Sequence, residues 1–119
     1  MIWGARLASP QGIFSSNVNT APSNGGQVAR HLIFMTDGQM MNVNTLQTPY
    51  GIEYHDRRVT DDGSTDEASR RTSRYKAICE AVKAKGIRVW VIAFSTGLTT
   101  DLQNCASANS SFTANSSSQ

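Results

Sequence analysis

At 119 residues with a net charge of +2, 39% hydrophobic and 17% charged residues, the chain has the composition of one globular domain and is too short for two. Its apolar runs are strand-sized, well below the roughly 18–20 residues of a membrane helix, and its basic residues alternate with acids, so composition argues against a membrane span and a nucleic-acid surface. The opening lacks the basic-then-apolar pattern of a signal peptide, an absence that carries no weight in a fragment.

Met1 to Leu7 reads as the last turns of a helix that Pro10 brings to an end. Ser15 to Gly26, rich in Ser, Asn, Gly and Pro, is expected as an exposed loop. The run His31-Leu-Ile-Phe-Met-Thr36 is then an apolar strand, and it delivers Asp37 and Gly38 to its C-terminal tip. Ligands of open α/β sheets bind beyond the carboxyl ends of parallel strands, so Asp37 stands where a functional acid is expected; a plain Asp-Gly turn is the alternative.

Residues 39–63 form a connection far longer than the few that usually join strand to helix, and are expected as an inserted loop. Asn42, Asn44, Tyr50, Tyr54 and His55 would suit partner recognition, although an exposed cover over the sheet edge is the simpler role. The spacing of Tyr75, Ile78, Cys79 and Val82 at i, i+3, i+4 and i+7 predicts a crossover helix over about 65–85. Ser64-Thr-Asp-Glu67 has the form of a capping box at its start, and Gly86 permits the left-handed residue that stops it.

Ile87 to Phe94, rich in β-branched and aromatic residues, predicts a second strand, parallel to the first and covered on both faces. Asp37 and the Ser95-Thr96-Gly97 turn would then share one edge of the sheet. Leu102 to Ala106 reads as a short amphipathic turn, and Asn115 to Gln119 as a polar stretch with no closing element. Two strands and one or two helices cannot cover a sheet, so the chain is expected to be the C-terminal portion of a larger α/β domain.

Enzymatic signatures are missing. There is no G-x-S-x-G elbow, no phosphate-binding P-loop and no G-x-G-x-x-G turn after a strand. His31 and His55 read as structural or solvated, and Trp3 and Trp90 as packed in the core or on a covering helix. Four Cys and His residues without ligand spacing make a poor zinc site.

Four blocks in order carry a family resemblance: Met1-Ile-Trp-Gly-Ala-Arg-Leu-Ala-Ser-Pro10, Ile33-Phe-Met-Thr-Asp-Gly38, Cys79-Glu-Ala-Val-Lys-Ala-Lys-Gly-Ile-Arg-Val89 and Leu102-Gln-Asn-Cys-Ala-Ser107. Together they resemble the C-terminal half of TadG-like proteins of the bacterial tight-adherence (Flp) pilus assembly system, which carry a von Willebrand factor A type domain. The resemblance implies a Rossmann-like α/β three-layer sandwich, present in part, with strands at about 31–36 and 87–94. It further implies a non-enzymatic binding or scaffold domain on the extracytoplasmic face of the envelope, in contact with proteins of the pilus machinery and with no nucleic acid or membrane contact by this segment.

In that family a metal-ion-dependent adhesion site joins a D-x-S-x-S loop, a threonine from a later loop and an aspartate at the tip of the fourth strand. Asp37 matches that aspartate, and Thr36 and Gly38 match its neighbours. The other two loops are missing, and Asp62-Gly-Ser-Thr-Asp66 is better explained by helix capping, so Asp37 is expected to be one ligand of a partial site. Mg²⁺ would belong to the parent domain and bind this chain weakly or not at all. Cys79 and Cys105 are compatible with a disulfide or with two separately buried thiols; the resemblance to an envelope protein favours the disulfide. The reading from a different class is a fragment of a Rossmann-like hydrolase or transferase that uses Asp37 as metal ligand or general base.

Overall fold

The computed structural model describes residues 1–37, 43–64, 67–95 and 97–115. In chain order the elements are α1 (Ile2–Ala8), α2 (Ser15–Val18), β1 (Arg30–Thr36), β2 (Gln47–Thr48), β3 (Gly51–Ile52), α3 (Glu53–Asp56), α4 (Glu67–Ala84), β4 (Ile87–Phe94), α5 (Thr100–Cys105) and β5 (Ser111–Ala114). They fall into two compact units, Met1–Gly38 with Lys76–Gln119, and Gln39–Tyr75.

The first unit is built on a three-stranded sheet in the order β1-β4-β5. Both pairings are parallel, with Arg30 opposite Ile87, Thr36 opposite Ala93, and Val91 opposite Ser111. The protein is therefore mixed α/β with a parallel sheet, compatible with a Rossmann-like arrangement. The two expected strands form where the apolar runs lie, and α4 joins them as a crossover helix. Its predicted stripe is the buried one: Tyr75, Cys79 and Val82 are all in the core. It closes as expected, with Gly86 at φ 72° and its N–H bonded to the Lys83 carbonyl at 2.9 Å. The capping box cannot be followed, because residues 65 and 66 lie outside the described residues.

β5 is a third strand of this sheet, beyond the two that the apolar runs predict. The segment before it is already zipped onto β4: Ser107 donates its N–H to the Val89 carbonyl at 2.9 Å, and Val91 donates to the Ser110 carbonyl at 2.8 Å. Backbone pairing with a buried strand makes a strand of four residues whose side chains alone carry little signal.

β4 also departs from the reading of a strand covered on both faces. Ile87, Val89, Val91 and Ala93 are buried, whereas Arg88 and Phe94 are exposed and Trp90 and Ile92 are half-buried. Helices occupy one side of the sheet. On that side α1 packs against Leu32, so closely that a Cβ on Gly4 would lie 3.2 Å from its Cδ1. α4 and α5 are joined on the same side by the bond between Cys79 and Cys105 (S–S 2.03 Å). Within the first unit two layers of the expected three-layer sandwich are described, and on the face that carries Ile33, Met35, Trp90 and Phe112 the first two and the last are exposed. Trp3 is likewise not a core residue: it projects from α1 into solvent, with the Arg6 guanidinium 5.0 Å from its ring.

The expected inserted loop over 39–63 lies within the second unit, and its described residues carry short elements of their own. β2 and β3 form a short antiparallel hairpin through Pro49 and Tyr50, with Gln47 opposite Ile52 and Thr48 opposite Gly51. Gly51, at φ 94°, faces the Asp56 carboxylate with no room for a Cβ. That carboxylate accepts the Ile52 N–H at 2.7 Å, so the hairpin is pinned to the single turn of α3.

Candidate functional site

Asp37 is the residue at which sequence and fold converge. β1 ends at Thr36, opposite Ala93 of β4, and Asp37 follows in a bend with its side chain exposed to solvent. Because the sheet is parallel, the end of β4 at Phe94 and Ser95 lies on the same edge. Ser95 adopts φ 56° and donates its N–H to the Ala114 carbonyl at 3.0 Å, which ties the edge of β4 to that of β5. Thr96, from the expected turn, lies outside the described residues, as do Gly38 and Asn42.

Among the described residues this edge presents the Asp37 carboxylate to solvent. Among the described residues no three His, Cys, Asp or Glu side chains come together to hold a metal ion. A closed Mg²⁺ site requires six oxygens in near-octahedral array, and Asp37 is the described carboxylate at this edge that could contribute to one. Asp62, the start of the segment that superficially resembles D-x-S-x-S, is committed locally. Its carboxylate accepts the Ser64 N–H at 2.9 Å. The hydrogen bonds from Ser64, hydroxyl first and N–H second, hold its pKa below the usual carboxylate range.

His31 does not reach the edge occupied by Asp37. His31 opens β1 at the opposite end of the strand, and its Nδ1 accepts the Trp90 indole N–H at 2.9 Å. His55 stacks edge-on with Tyr54 inside the second unit, ring centroids 5.0 Å apart. Of the residues suggested for partner recognition, Tyr50 and Tyr54 are exposed, with the Arg74 guanidinium 5.8 Å from the Tyr50 ring. Asn44 has a structural task instead. Its carbonyl accepts the Tyr54 N–H, and its side-chain amide donates to the Gly63 carbonyl, both at 2.9 Å.

Sequence reading missed one buried charge. Glu53 is 2% exposed, and its carboxylate accepts the Val59 N–H at 2.9 Å, the Thr60 N–H at 2.6 Å and the Thr60 hydroxyl at 2.7 Å. Burial alone pushes this carboxyl up. The bonds from Thr60, Val59 and Arg58 outweigh it and leave the pKa below its ordinary value. With both oxygens engaged by the turn it organises, Glu53 is a folding anchor for residues 53–60. Polar turn residues around one Glu give no periodic pattern, so nothing in the sequence marked it.

The predicted disulfide is formed, between two buried cysteines. Around it, Lys83 donates to the Asn104 carbonyl at 2.9 Å and Lys76 pairs with Asp101 at 2.6 Å, so covalent and polar links join α4 to α5. The fold and this edge define a class, an α/β protein with an acidic residue at the carboxyl end of a parallel strand. Comparison with family models, curated proteins and solved structures found no match to the chain.

Proposed function

We propose that this chain is part of a von Willebrand factor A type binding domain in an envelope-associated Flp (Tad) pilus assembly protein, and that it acts as a non-enzymatic contact or scaffold module. The observation that carries the reading is Asp37, exposed one residue beyond β1 at the carboxyl edge of a parallel sheet. That is the position of the strand-tip aspartate in the adhesion site the sequence resembles. Two further features support it. The order β1-β4-β5, parallel and in chain sequence, is that of one half of a doubly wound sheet. The disulfide suits an extracytoplasmic location, where such bonds persist.

In this reading Asp37 supplies a carboxylate to a protein contact at the sheet edge. A Mg²⁺ ion would join it only where donors from outside these residues complete the coordination. The test is Asp37→Ala in the longer parent protein, with partner capture measured in Mg²⁺ and in chelator. Capture should be lost while the circular dichroism spectrum is unchanged. Undiminished capture by that variant would remove Asp37 from the contact and with it the observation on which the proposal stands.

A further inference from the structure

The loop that joins α2 to β1 carries a chemical feature that the proposed function does not use. Ala21 to Gln27 are exposed throughout, and Asn24 among them is the one asparagine of the chain that is followed by glycine. Pro22 to Gly25 form a turn, closed by the Gly25 N–H on the Pro22 carbonyl at 3.1 Å. Gly25 adopts φ 73°, and a Cβ built on it would meet nothing within 4 Å. The Asn24 side chain folds back along the chain, so that its Oδ1 accepts the Gly26 N–H at 3.0 Å.

An electrophile, a nucleophile and an oxyanion donor thus stand on three consecutive residues. Attack of the Gly25 nitrogen on Asn24 Cγ is intramolecular and needs no second reactant. At other residues a Cβ crowds the attacking nitrogen; glycine has none. As the nitrogen adds to Cγ, negative charge builds on Oδ1, the atom that the Gly26 N–H already holds. The Gly25 proton must first leave the Pro22 carbonyl, and a turn in an exposed loop opens at little cost.

The chain contains its own comparison. Asp62-Gly63-Ser64 repeats the local geometry, with Gly63 at φ 71° and the Ser64 N–H on Asp62 Oδ1 at 2.9 Å. There the electrophile is a carboxylate, whose charge repels an incoming nitrogen. Gly63 is also packed, since a Cβ on it would lie 3.0 Å from the Tyr54 carbonyl and its own carbonyl accepts the Asn44 amide at 2.9 Å.

We infer that Asn24 is a self-modifying site, at which the folded loop converts its own asparagine through a cyclic imide to aspartate and its β-linked isomer. In the first step the Gly25 nitrogen bonds to Asn24 Cγ and gives up its proton. The bond from Cγ to the side-chain nitrogen breaks, and ammonia leaves with that proton. Water then opens the imide at either carbonyl. Nothing is oxidised or reduced. The loop gains a negative charge and, in the β-linked product, an extra carbon in the main chain ahead of β1. This goes beyond the proposed function and does not rest on it, since the loop precedes β1 and Asp37 follows it.

The test holds the intact chain at mildly alkaline pH, digests it and resolves the peptide around residue 24 by mass spectrometry, with released ammonia measured in parallel. A free Pro-Ser-Asn-Gly-Gly-Gln peptide reports the same sequence without the fold. Both products should accumulate at Asn24 while every other asparagine stays intact, and Gly25→Ala should suppress them. Gly26→Pro keeps the Asn-Gly pair but deletes the donor; it should slow the chain about fivefold, the worth of one exposed hydrogen bond, and leave the peptide's rate nearly unchanged. Circular dichroism checks that both variants keep the fold. Asn24 left unconverted in the chain after the peptide has been consumed would overturn the inference. So would a Gly26→Pro chain that reacts as fast as the parent, or one slowed no more than the corresponding peptide.

Discussion

Reducing the bond between Cys79 and Cys105 should remove a large part of the stability of the unit that contains it. The two cysteines are 26 residues apart, and the chain-entropy relation assigns a closed loop of that size about 3.5 kcal/mol at 25 °C. Folded domains of this size are stable by about 5–15 kcal/mol in total, so the loss is a substantial fraction. At a urea dependence of about 1–3 kcal/mol per molar, the unfolding midpoint should fall by about 1–3 M. The comparison is between oxidised and reduced samples of the same chain, followed by indole fluorescence and far-ultraviolet circular dichroism. Thiol titration should find two free thiols after reduction and none before. Because both samples share one sequence, no packing change from a substitution enters the difference. An unchanged midpoint in a sample whose thiols titrate as free would refute the reasoning.

Three further outcomes follow from the packing. Val91→Ala, in the fully buried face of β4, should cost about 2–3 kcal/mol, whereas Ile33→Ala on the open face should change the urea midpoint by no more than the equivalent of about 0.5 kcal/mol. Glu53 has a lowered pKa, so the stabilisation of its turn is complete above the ordinary carboxyl value near 4.3 and is lost as pH falls through the lower folded value. Amide exchange at Val59 and Thr60 should accelerate over that acidic range, and Glu53→Gln should show faster exchange already at neutral pH. Gly51→Ala forces a Cβ into the Asp56 carboxylate at a positive φ and should disorder the hairpin, seen as lost protection of the Ile52 amide.

What the sequence made legible was whatever rests on periodicity. The stripe of Tyr75, Cys79 and Val82 defined α4, the apolar runs defined β1 and β4, and the order strand-helix-strand predicted their parallel pairing. The position of Asp37 followed from the end of one such run. Elements that rest on backbone pairing or on single polar contacts were silent. β5 is a strand because β4 offers it a ladder, and its residues Ser111-Phe-Thr-Ala carry only a weak alternation. The hairpin at Gln47–Ile52 depends on Gly51 and Asp56, and residues 53–60 depend on one carboxylate. The two faces of β4 could not be told apart, because Arg88-Val-Trp-Val-Ile is apolar enough on both to suggest burial. Which side is covered depends on where α1, α4 and α5 pack, a tertiary outcome that no local pattern encodes.

The cross-link also governs what this protein would do under tension. A pull on the two ends of the chain passes from α4 to α5 through the sulfur atoms, so the whole of β4 lies inside a covalent ring and carries none of the load along its backbone. Rupture of the sheet would release a tether shorter by the 26-residue separation, about 90 Å of extended chain, than the same event after reduction. The middle strand of the sheet thus becomes the part of the molecule that stretching cannot draw out.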